Sequence, residues 1–274
     1  MTGLDWARLS RAERSAAYDN RAAVPAAATL IPAWTEDSAA FRAAHRGHLD
    51  QAYGPRPRNR LDLFPAADPA APCLVFIHGG YWQRFGKDNF TTLIAGPLAM
   101  GWSCAMIGYT LCPEVTLTEL AAEITLALDW LATHSPALGV TGPMVLSGWS
   151  AGGHLTALCL DHPRIAAGLA ISGIFELGPL RDTNLNDALC LTDQEIVALS
   201  PMRLPLSDKP LAITYGTAEL PPLVADSREF HALRCAAHKP GPLLPLAGGN
   251  HFSIMDGLAR PDGPLTRQLP LLLS

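Results

Sequence analysis

The residues best placed to do chemistry form a Gly-x-Ser-x-Gly motif at positions 148–152, with Ser150 at its centre. A short apolar run at residues 144–146 precedes the motif, and a helix-like pattern follows it. A strand that turns this tightly into a helix holds the serine hydroxyl over the edge of a sheet, near a helix N-terminus that favours negative charge. Because glycine and serine are common, the motif alone also suits an ordinary strand-to-helix loop. With the partners described below, Ser150 is predicted to be a nucleophile.

A second glycine-containing loop lies upstream of the serine. The apolar run at residues 73–77 leads directly into the sequence His-Gly-Gly-Tyr-Trp at residues 78–82. Glycine lets the backbone approach a ligand closely. The N–H groups of Gly80 and Tyr81, together with that of Ala151, are therefore the predicted donors to the oxyanion of a tetrahedral intermediate. The histidine that opens the loop is expected to fix it by hydrogen bonds and not to carry protons.

A carboxylate and a histidine follow in the chain order that a Ser-acid-His triad requires. Glu219 is the first carboxylate after the apolar run at residues 211–215, which predicts a strand. Its alternative, Asp226, falls in the next predicted helix, where a solvated surface carboxylate is expected. His251 stands in a sharp turn after the last apolar run at residues 243–246. Glu219 and His251 are therefore the predicted partners of the serine.

Together these residues indicate acyl transfer through a covalent intermediate. His251 would take the proton from Ser150 as the serine attacks a carbonyl, and Glu219 would hold the imidazole in the correct tautomer. The chain contains neither a His-Glu-x-x-His motif nor a Gly-x-Gly-x-x-Gly motif. We therefore expect no metal and no nicotinamide or other cofactor.

The apolar runs that must position these residues alternate between strand and helix patterns. Strands are predicted at residues 61–64 (an edge strand), 74–77, 103–109, 144–146, 167–171, 211–215 and 243–246, and helices at 4–18, 89–100, 114–133 and 152–160. Such alternation is typical of α/β proteins whose parallel strands are buried on both faces. The predicted fold is that of an α/β-hydrolase, with a mostly parallel central sheet, helices on both faces and a small cap.

Two stretches depart from the alternation within the single domain expected for residues 1–274. Residues 1–60 are interpreted as an N-terminal helix followed by a segment that wraps the surface. Residues 176–210 are too many for a simple loop, and a capping box between Thr192 and Glu195 predicts a short helix within them. The insertion is predicted to be a cap over the active site, and a surface excursion without a role in substrate binding is the alternative.

Composition places the chain among ordinary enzymes. Apolar residues make up 49% of the 274 residues, and the net charge of -5 argues against nucleic acid or an anionic membrane as a partner. No apolar run reaches the ~20 residues that span a bilayer, and the N-terminus lacks the apolar core of a signal peptide. The six cysteines show no framework, which favours free thiols in a reducing cytoplasm. The sequence leaves open whether the protein is a monomer or a homodimer.

Several segments resemble the kynurenine formamidases (arylformamidases), which are close to the hormone-sensitive-lipase-like esterases. The matching segments are His78-Gly79-Gly80-Tyr81-Trp82-Gln83, Tyr109-Thr110-Leu111-Cys112-Pro113-Glu114, Gly148-Trp149-Ser150-Ala151-Gly152-Gly153-His154, Ser227-Arg228-Glu229-Phe230, Asn250-His251-Phe252 and, faintly, Tyr18-Asp19-Asn20-Arg21. The resemblance runs from about residue 18 to residue 258 and implies the triad Ser150, Glu219 and His251. One departure is that animal members of the family carry aspartate where Glu219 stands.

The resemblance implies a substrate as well as a reaction. N-formyl-kynurenine, cleaved to kynurenine and formate in tryptophan catabolism, is the expected substrate, and four aromatic residues are its expected contacts. Trp82, Trp149 and Phe175 are expected to stack on the aryl group. Tyr81 stands where the related esterases have the third glycine of His-Gly-Gly-Gly, and it is expected to narrow the acyl side. Ordinary packing beneath the cap is the alternative role for these aromatic side chains. A general short-acyl carboxylesterase would share the whole triad, and a non-catalytic hydrolase-like binding protein is a third possibility. A small-molecule aryl formamide or ester is thus the expected partner.

Overall fold

The computed structural model describes residues 6–274, and these form an eight-stranded sheet with helices packed on it. The strands are β1 (His48–Ala52), β2 (Arg60–Phe64), β3 (Cys73–Ile77), β4 (Ser103–Ile107), β5 (Met144–Trp149), β6 (Ile165–Ile171), β7 (Leu211–Gly216) and β8 (Leu243–Leu246). Their spatial order is β1-β2-β4-β3-β5-β6-β7-β8. The β1–β2 and β2–β4 pairs are antiparallel, and all the other pairs are parallel. The structure therefore confirms the α/β class and the mostly parallel sheet.

The helices precede the strands, connect them or, in the case of the last two, follow the final strand. They are α1 (Arg11–Ala16), α2 (Asn20–Ala23), α3 (Ala27–Ala44), α4 (Ala95–Ala99), α5 (Leu117–His134), α6 (Ala151–Leu158), α7 (Asn186–Leu189), α8 (Asp193–Leu199), α9 (Pro221–Ala236), α10 (Asp256–Ala259) and α11 (Pro264–Leu271). In the part of the chain that the structure describes, no helix is both long enough and apolar enough to cross a membrane.

The sheet is buried on both faces because its central strands alternate between two hydrophobic clusters. In β3, Val75 and Ile77 belong to one cluster, whereas Leu74 and Phe76 belong to the other. Helices α5, α6 and α9 contribute to the first cluster, and helices α3 and α11 contribute to the second. Every residue of β3 is buried, which explains the continuous apolar run in the sequence.

The amino-terminal third differs most from the prediction. The edge strand is β1, so β2 lies one position inside the sheet and the prediction of residues 61–64 as an edge strand is wrong. Residues 20–60, interpreted as a surface-wrapping segment, contain an 18-residue helix, α3, with Ile31 and Trp34 buried. Its apolar stripe is thin because alanines separate the large side chains, and Pro32 lies inside the helix.

The insertion at residues 176–210 contains two short helices, α7 and α8, with single turns around them. The predicted capping box is confirmed: the Thr192 hydroxyl accepts the Glu195 N–H, and the Glu195 carboxylate accepts the Thr192 N–H. The insertion contacts the N-terminal helix through an ion pair between Arg14 and Asp182 and a hydrogen bond from the Asn184 N–H to the Ser15 hydroxyl.

Candidate active site

Ser150 occupies the turn between β5 and α6 in a strained backbone conformation. Its φ of 57° and ψ of -115° lie outside the regions that L-residues favour. The neighbouring glycines are required, since a β-carbon at Gly152 would overlap the Ile77 carbonyl oxygen and one at Gly148 would overlap Gly152. The backbone of this turn therefore sets the direction of the Ser150 Cα–Cβ bond.

The loop after β3 turns at Gly80, whose φ is +117°. The Gly80 carbonyl accepts the N–H groups of Gln83 and Arg84, at 3.0 Å and 3.1 Å, which closes the turn. Within residues 6–274, the N–H groups of Gly80, Tyr81 and Ala151 have no acceptor in the protein. These are the three donors that the sequence predicts for an oxyanion, and unpaired N–H groups suit that use.

The Tyr81 side chain is anchored by the N-terminal segment. Its hydroxyl donates to the Tyr18 carbonyl oxygen at 2.7 Å and accepts from Asn20 Nδ2 at 3.0 Å. Because the single hydroxyl hydrogen is used on Tyr18, the Asn20 amide must turn its NH₂ group toward Tyr81. The position of the loop thus depends on residues that lie about 60 positions earlier in the chain.

His251 and Glu219 form a buried pair. Glu219 Oε2 lies 2.7 Å from His251 Nδ1, and the two side chains are 0% and 4% exposed respectively. The other carboxylate oxygen, Oε1, accepts from the Ser172 hydroxyl at 2.5 Å and from the Gly216 N–H at 2.6 Å. A carboxylate that faces Nδ1 holds the imidazole proton on that nitrogen, which leaves Nε2 free to act as a base.

Ser150 and His251 line the same cavity, which has a volume of about 450 Å³. Within residues 6–274 the structure gives no hydrogen bond between the two side chains, and such contacts often tighten only when substrate is bound. The Trp149 indole N–H donates to the His251 carbonyl oxygen at 2.9 Å and so fixes the histidine loop. The structure thus places Ser150 and His251 at one cavity and pairs His251 with Glu219.

Two of the four predicted substrate contacts do not lie at the cavity. Tyr81 and Trp149 line the cavity, but Trp82 and Phe175 are completely buried elsewhere. Trp82 packs edge-on against His154, with ring centroids 5.0 Å apart, and Phe175 stacks on Phe230 at 4.5 Å. Tyr81 and Trp82 both have positive φ angles, of 51° and 59°, a backbone conformation that residue type alone does not reveal.

Other aromatic side chains take the place of those two. Tyr18, Phe85 and Phe252 line the cavity together with Tyr81 and Trp149. Sequence analysis also missed Ser172, which follows β6 with a φ of 47° and holds the Glu219 carboxylate. Its position, the first polar residue after a parallel strand, is a signal that could have found it.

His78 and Asp226 take no part in this constellation. Burial lowers the pKa of His78 to about 3, and its ring stacks on Tyr109 with centroids 4.1 Å apart. Asp226 is half-buried and accepts the Phe175 N–H at 2.6 Å, and desolvation raises the pKa of its carboxyl to about 8. Asp226 lies in the predicted helix, but it is not the freely solvated carboxylate that was expected there.

Asp226 should make stability depend on pH. A carboxyl whose pKa rises on folding holds its proton in the folded state between about pH 4 and pH 8, whereas the unfolded chain releases it. The free energy of unfolding should therefore fall as pH rises through this window. Asp226→Asn should remove that slope, so the variant should gain on the order of 1 kcal/mol over wild type by about pH 8, a figure reduced for solvent screening.

Thermal unfolding of both proteins at pH 5, 7 and 9 checks this expectation. A difference in Tm that is constant across the three pH values would show that Asp226 stays ionised in the folded protein. It would then act only as an acceptor for backbone N–H groups.

The chain is similar to several known proteins. The BD-FAE family model matches residues 61–161. The kynurenine formamidase of Drosophila melanogaster is 29% identical over 233 residues, 77% of each chain, and that of Danio rerio is 27% identical over 239 residues, 81% of this chain and 80% of the relative. The crystal structure of a suggested thioesterase from Silicibacter sp. superposes with a TM-score of 0.81 at 32% identity, covering 93% of this chain and 98% of that one.

Proposed function

The chain belongs to the kynurenine formamidase-like α/β-hydrolases, and from that premise we propose that it cleaves a small aryl formamide through a formylated serine. The protein is a hydrolase of formamide or ester bonds. N-formyl-kynurenine is the proposed substrate, with kynurenine and formate as the products. Ser150, His251 and Glu219 are the proposed catalytic residues.

In the first half of the reaction, Ser150 Oγ attacks the formyl carbon while His251 Nε2 takes the hydroxyl proton. The carbonyl oxygen becomes an oxyanion that accepts the N–H groups of Gly80, Tyr81 and Ala151. The imidazolium, stabilised by Glu219, then protonates the leaving nitrogen, the C–N bond breaks and the aryl amine departs.

In the second half, a water molecule attacks the formyl ester on Ser150 while His251 removes its proton. The second tetrahedral intermediate collapses, the serine oxygen recovers a proton from the imidazolium, and formic acid leaves and loses its remaining proton to water to give formate. The same three N–H donors serve both intermediates. An aniline nitrogen leaves more readily than an alkyl amine, so the triad suffices without a metal.

The observation that carries the formyl preference is the anchored Tyr81 side chain. Where related esterases have a third glycine, this chain has a tyrosine whose hydroxyl is held by Tyr18 and Asn20 at 2.7 Å and 3.0 Å. A side chain fixed at both ends of its ring cannot swing aside, so it narrows the acyl side of the cavity. A formyl group carries only hydrogen on its carbonyl carbon and needs no more room.

The aryl group is assigned to the aromatic part of the cavity. Phe85, Trp149 and Phe252 line it, and each aromatic pair adds about 0.5–1.5 kcal/mol beyond the area it buries. The insertion at residues 176–210, which reaches the cavity through Asn184 and Leu185, is proposed to be the cap. Since all six cysteines are free, the cytoplasm is the proposed compartment.

A short-acyl carboxylesterase is the second candidate, favoured by the 32% identity to the suggested thioesterase. The two candidates are separated by kcat/KM for formyl, acetyl and butyryl derivatives of one aryl leaving group, measured for both amides and esters. We expect kcat/KM to fall by at least about tenfold with each step in acyl length, because a butyryl chain would meet the Tyr81 ring. A butyryl preference without turnover of N-formyl-kynurenine would favour the carboxylesterase.

A further inference from the structure

The cavity changes in character from its buried end to its mouth. Ser150 and His251 are 2% and 3% exposed, and the aromatic side chains surround them. Two lining arginines, Arg21 and Arg84, are exposed and mark the outer end. The reacting group, an apolar section and a cationic mouth thus follow one another along a single cavity.

The two arginines are available for a ligand because no carboxylate of the described residues pairs with either of them. Arginines nearby are different: Arg11 pairs with Asp187, and Arg14 pairs with Asp182. The remaining charged side chain at the mouth, Asp19, accepts the Ala22 N–H at 3.0 Å and caps helix α2. The mouth therefore has one more positive charge than negative charge.

The position of Arg84 ties this charge to the site. Arg84 belongs to the turn that Gly80 closes, since its N–H donates to the Gly80 carbonyl at 3.1 Å. Its charge also opposes the rise that burial causes in the pKa of Tyr81, so the guanidinium lies close to that ring. Arg21 follows Asn20, which holds the Tyr81 hydroxyl. Both arginines are thus attached to segments that form the wall of the cavity.

We propose that Arg21 and Arg84 select substrates that carry a carboxylate on the leaving group. The guanidinium group binds carboxylates through paired N–H donors and keeps its charge at every physiological pH. With the acyl carbon at Ser150 and the ring among the aromatic side chains, an anionic substituent on the leaving group would extend to the mouth. This inference rests on the proposed function and adds to it the two residues that would bind the carboxylate of N-formyl-kynurenine.

The experiment uses two formyl anilides that differ only in a side-chain carboxylate, which one carries and the other has as its neutral carboxamide. The variants are Arg21→Gln, Arg84→Gln and the double variant, with Arg11→Gln as the matched control, since Arg11 is exposed but paired. For the anionic substrate, kcat/KM should fall about three- to fivefold in each single variant and about 10- to 30-fold in the double variant, mainly through KM. For the neutral substrate it should stay within about twofold.

Two further results are expected if the charge is what matters. Arg84→Lys should retain part of the preference, and added salt should weaken turnover of the anionic substrate in wild type but not in the double variant. Equal turnover of both substrates by wild type, unchanged in the double variant, would overturn this inference and leave formamide hydrolysis standing. Failure of wild type to cleave either formyl anilide would instead count against the proposed function.

Discussion

Replacing Ser150 by alanine should reduce kcat by more than a hundredfold and leave the fold intact. In serine hydrolases, loss of the nucleophile leaves only the weak catalysis of the oxyanion hole and of substrate binding, so a drop of about 10⁴-fold or more is expected. The fold should survive because the Ser150 hydroxyl has no hydrogen-bond partner among the described residues. Alanine also meets the same backbone strain at a φ of 57°.

Ser15→Ala is the matched control, because Ser15 lines the same cavity and its hydroxyl donates to the Arg11 carbonyl. This variant should keep kcat within about tenfold of wild type. A serine-reactive phosphonate should label wild type and Ser15→Ala but not Ser150→Ala. Unchanged labelling of Ser150→Ala, or more than a hundredth of wild-type kcat, would show that another residue is the nucleophile. No labelling of wild type would favour the non-catalytic binding protein.

Glu219→Gln should lower kcat by about 10⁴-fold for a reason specific to this carboxylate's surroundings. Oε1 of Glu219 accepts two donors, the Ser172 hydroxyl and the Gly216 N–H. A glutamine amide would keep its oxygen there and turn its NH₂ group toward His251 Nδ1. The imidazole would then have to carry its proton on Nε2, where it blocks transfer from Ser150. The substitution therefore changes the tautomer as well as the charge.

Asp226→Asn serves as the comparison for this prediction, with kcat measured at neutral pH, where both variants are folded. It should change kcat by less than about threefold, because Asp226 bonds the Phe175 N–H and not the histidine. The imidazole proton resonances of His251 give an independent readout of the tautomer. If Asp226→Asn abolished activity while Glu219→Gln kept most of it, the assignment of the acid would be wrong.

The residues of the proposed triad could be found in the sequence because each follows an apolar run that forms a strand. Ser150 and Glu219 follow β5 and β7, in which every residue is buried, whereas His251 follows β8, a partly exposed edge strand. Chain order and a short apolar run then place Glu219 and His251 at the same edge of the sheet as Ser150. Gly148 and Gly152 could be interpreted from the sequence because the backbone on either side of Ser150 has no room for a β-carbon at these positions. Where a site requires one particular backbone conformation, few residue types are allowed there, so the sequence reveals the conformation.

Side-chain direction and long-range contact could not be predicted in this way. Trp82 follows Tyr81 directly, yet it is buried in the core while Tyr81 lines the cavity, and both residues have positive φ angles, of 51° and 59°. Asp226 bonds the Phe175 N–H, 51 positions away in the chain. Helix α3 escaped prediction because its buried face consists of a few large side chains among many alanines.

The cavity is lined partly by segments that carry none of the proposed catalytic residues, so its shape and its chemistry can change separately in evolution. The reactive groups follow strands of the sheet, whereas residues 15–31 and 184–185 line the cavity from outside the sheet. Substitutions in those outer segments can retune which molecules enter without altering the alignment of the triad. Tyr81 is the exception, since its N–H is a proposed oxyanion donor while its hydroxyl is held by Tyr18 and Asn20. Substitutions in the outer segments can therefore change which substrates are bound, except at the residues that contact Tyr81.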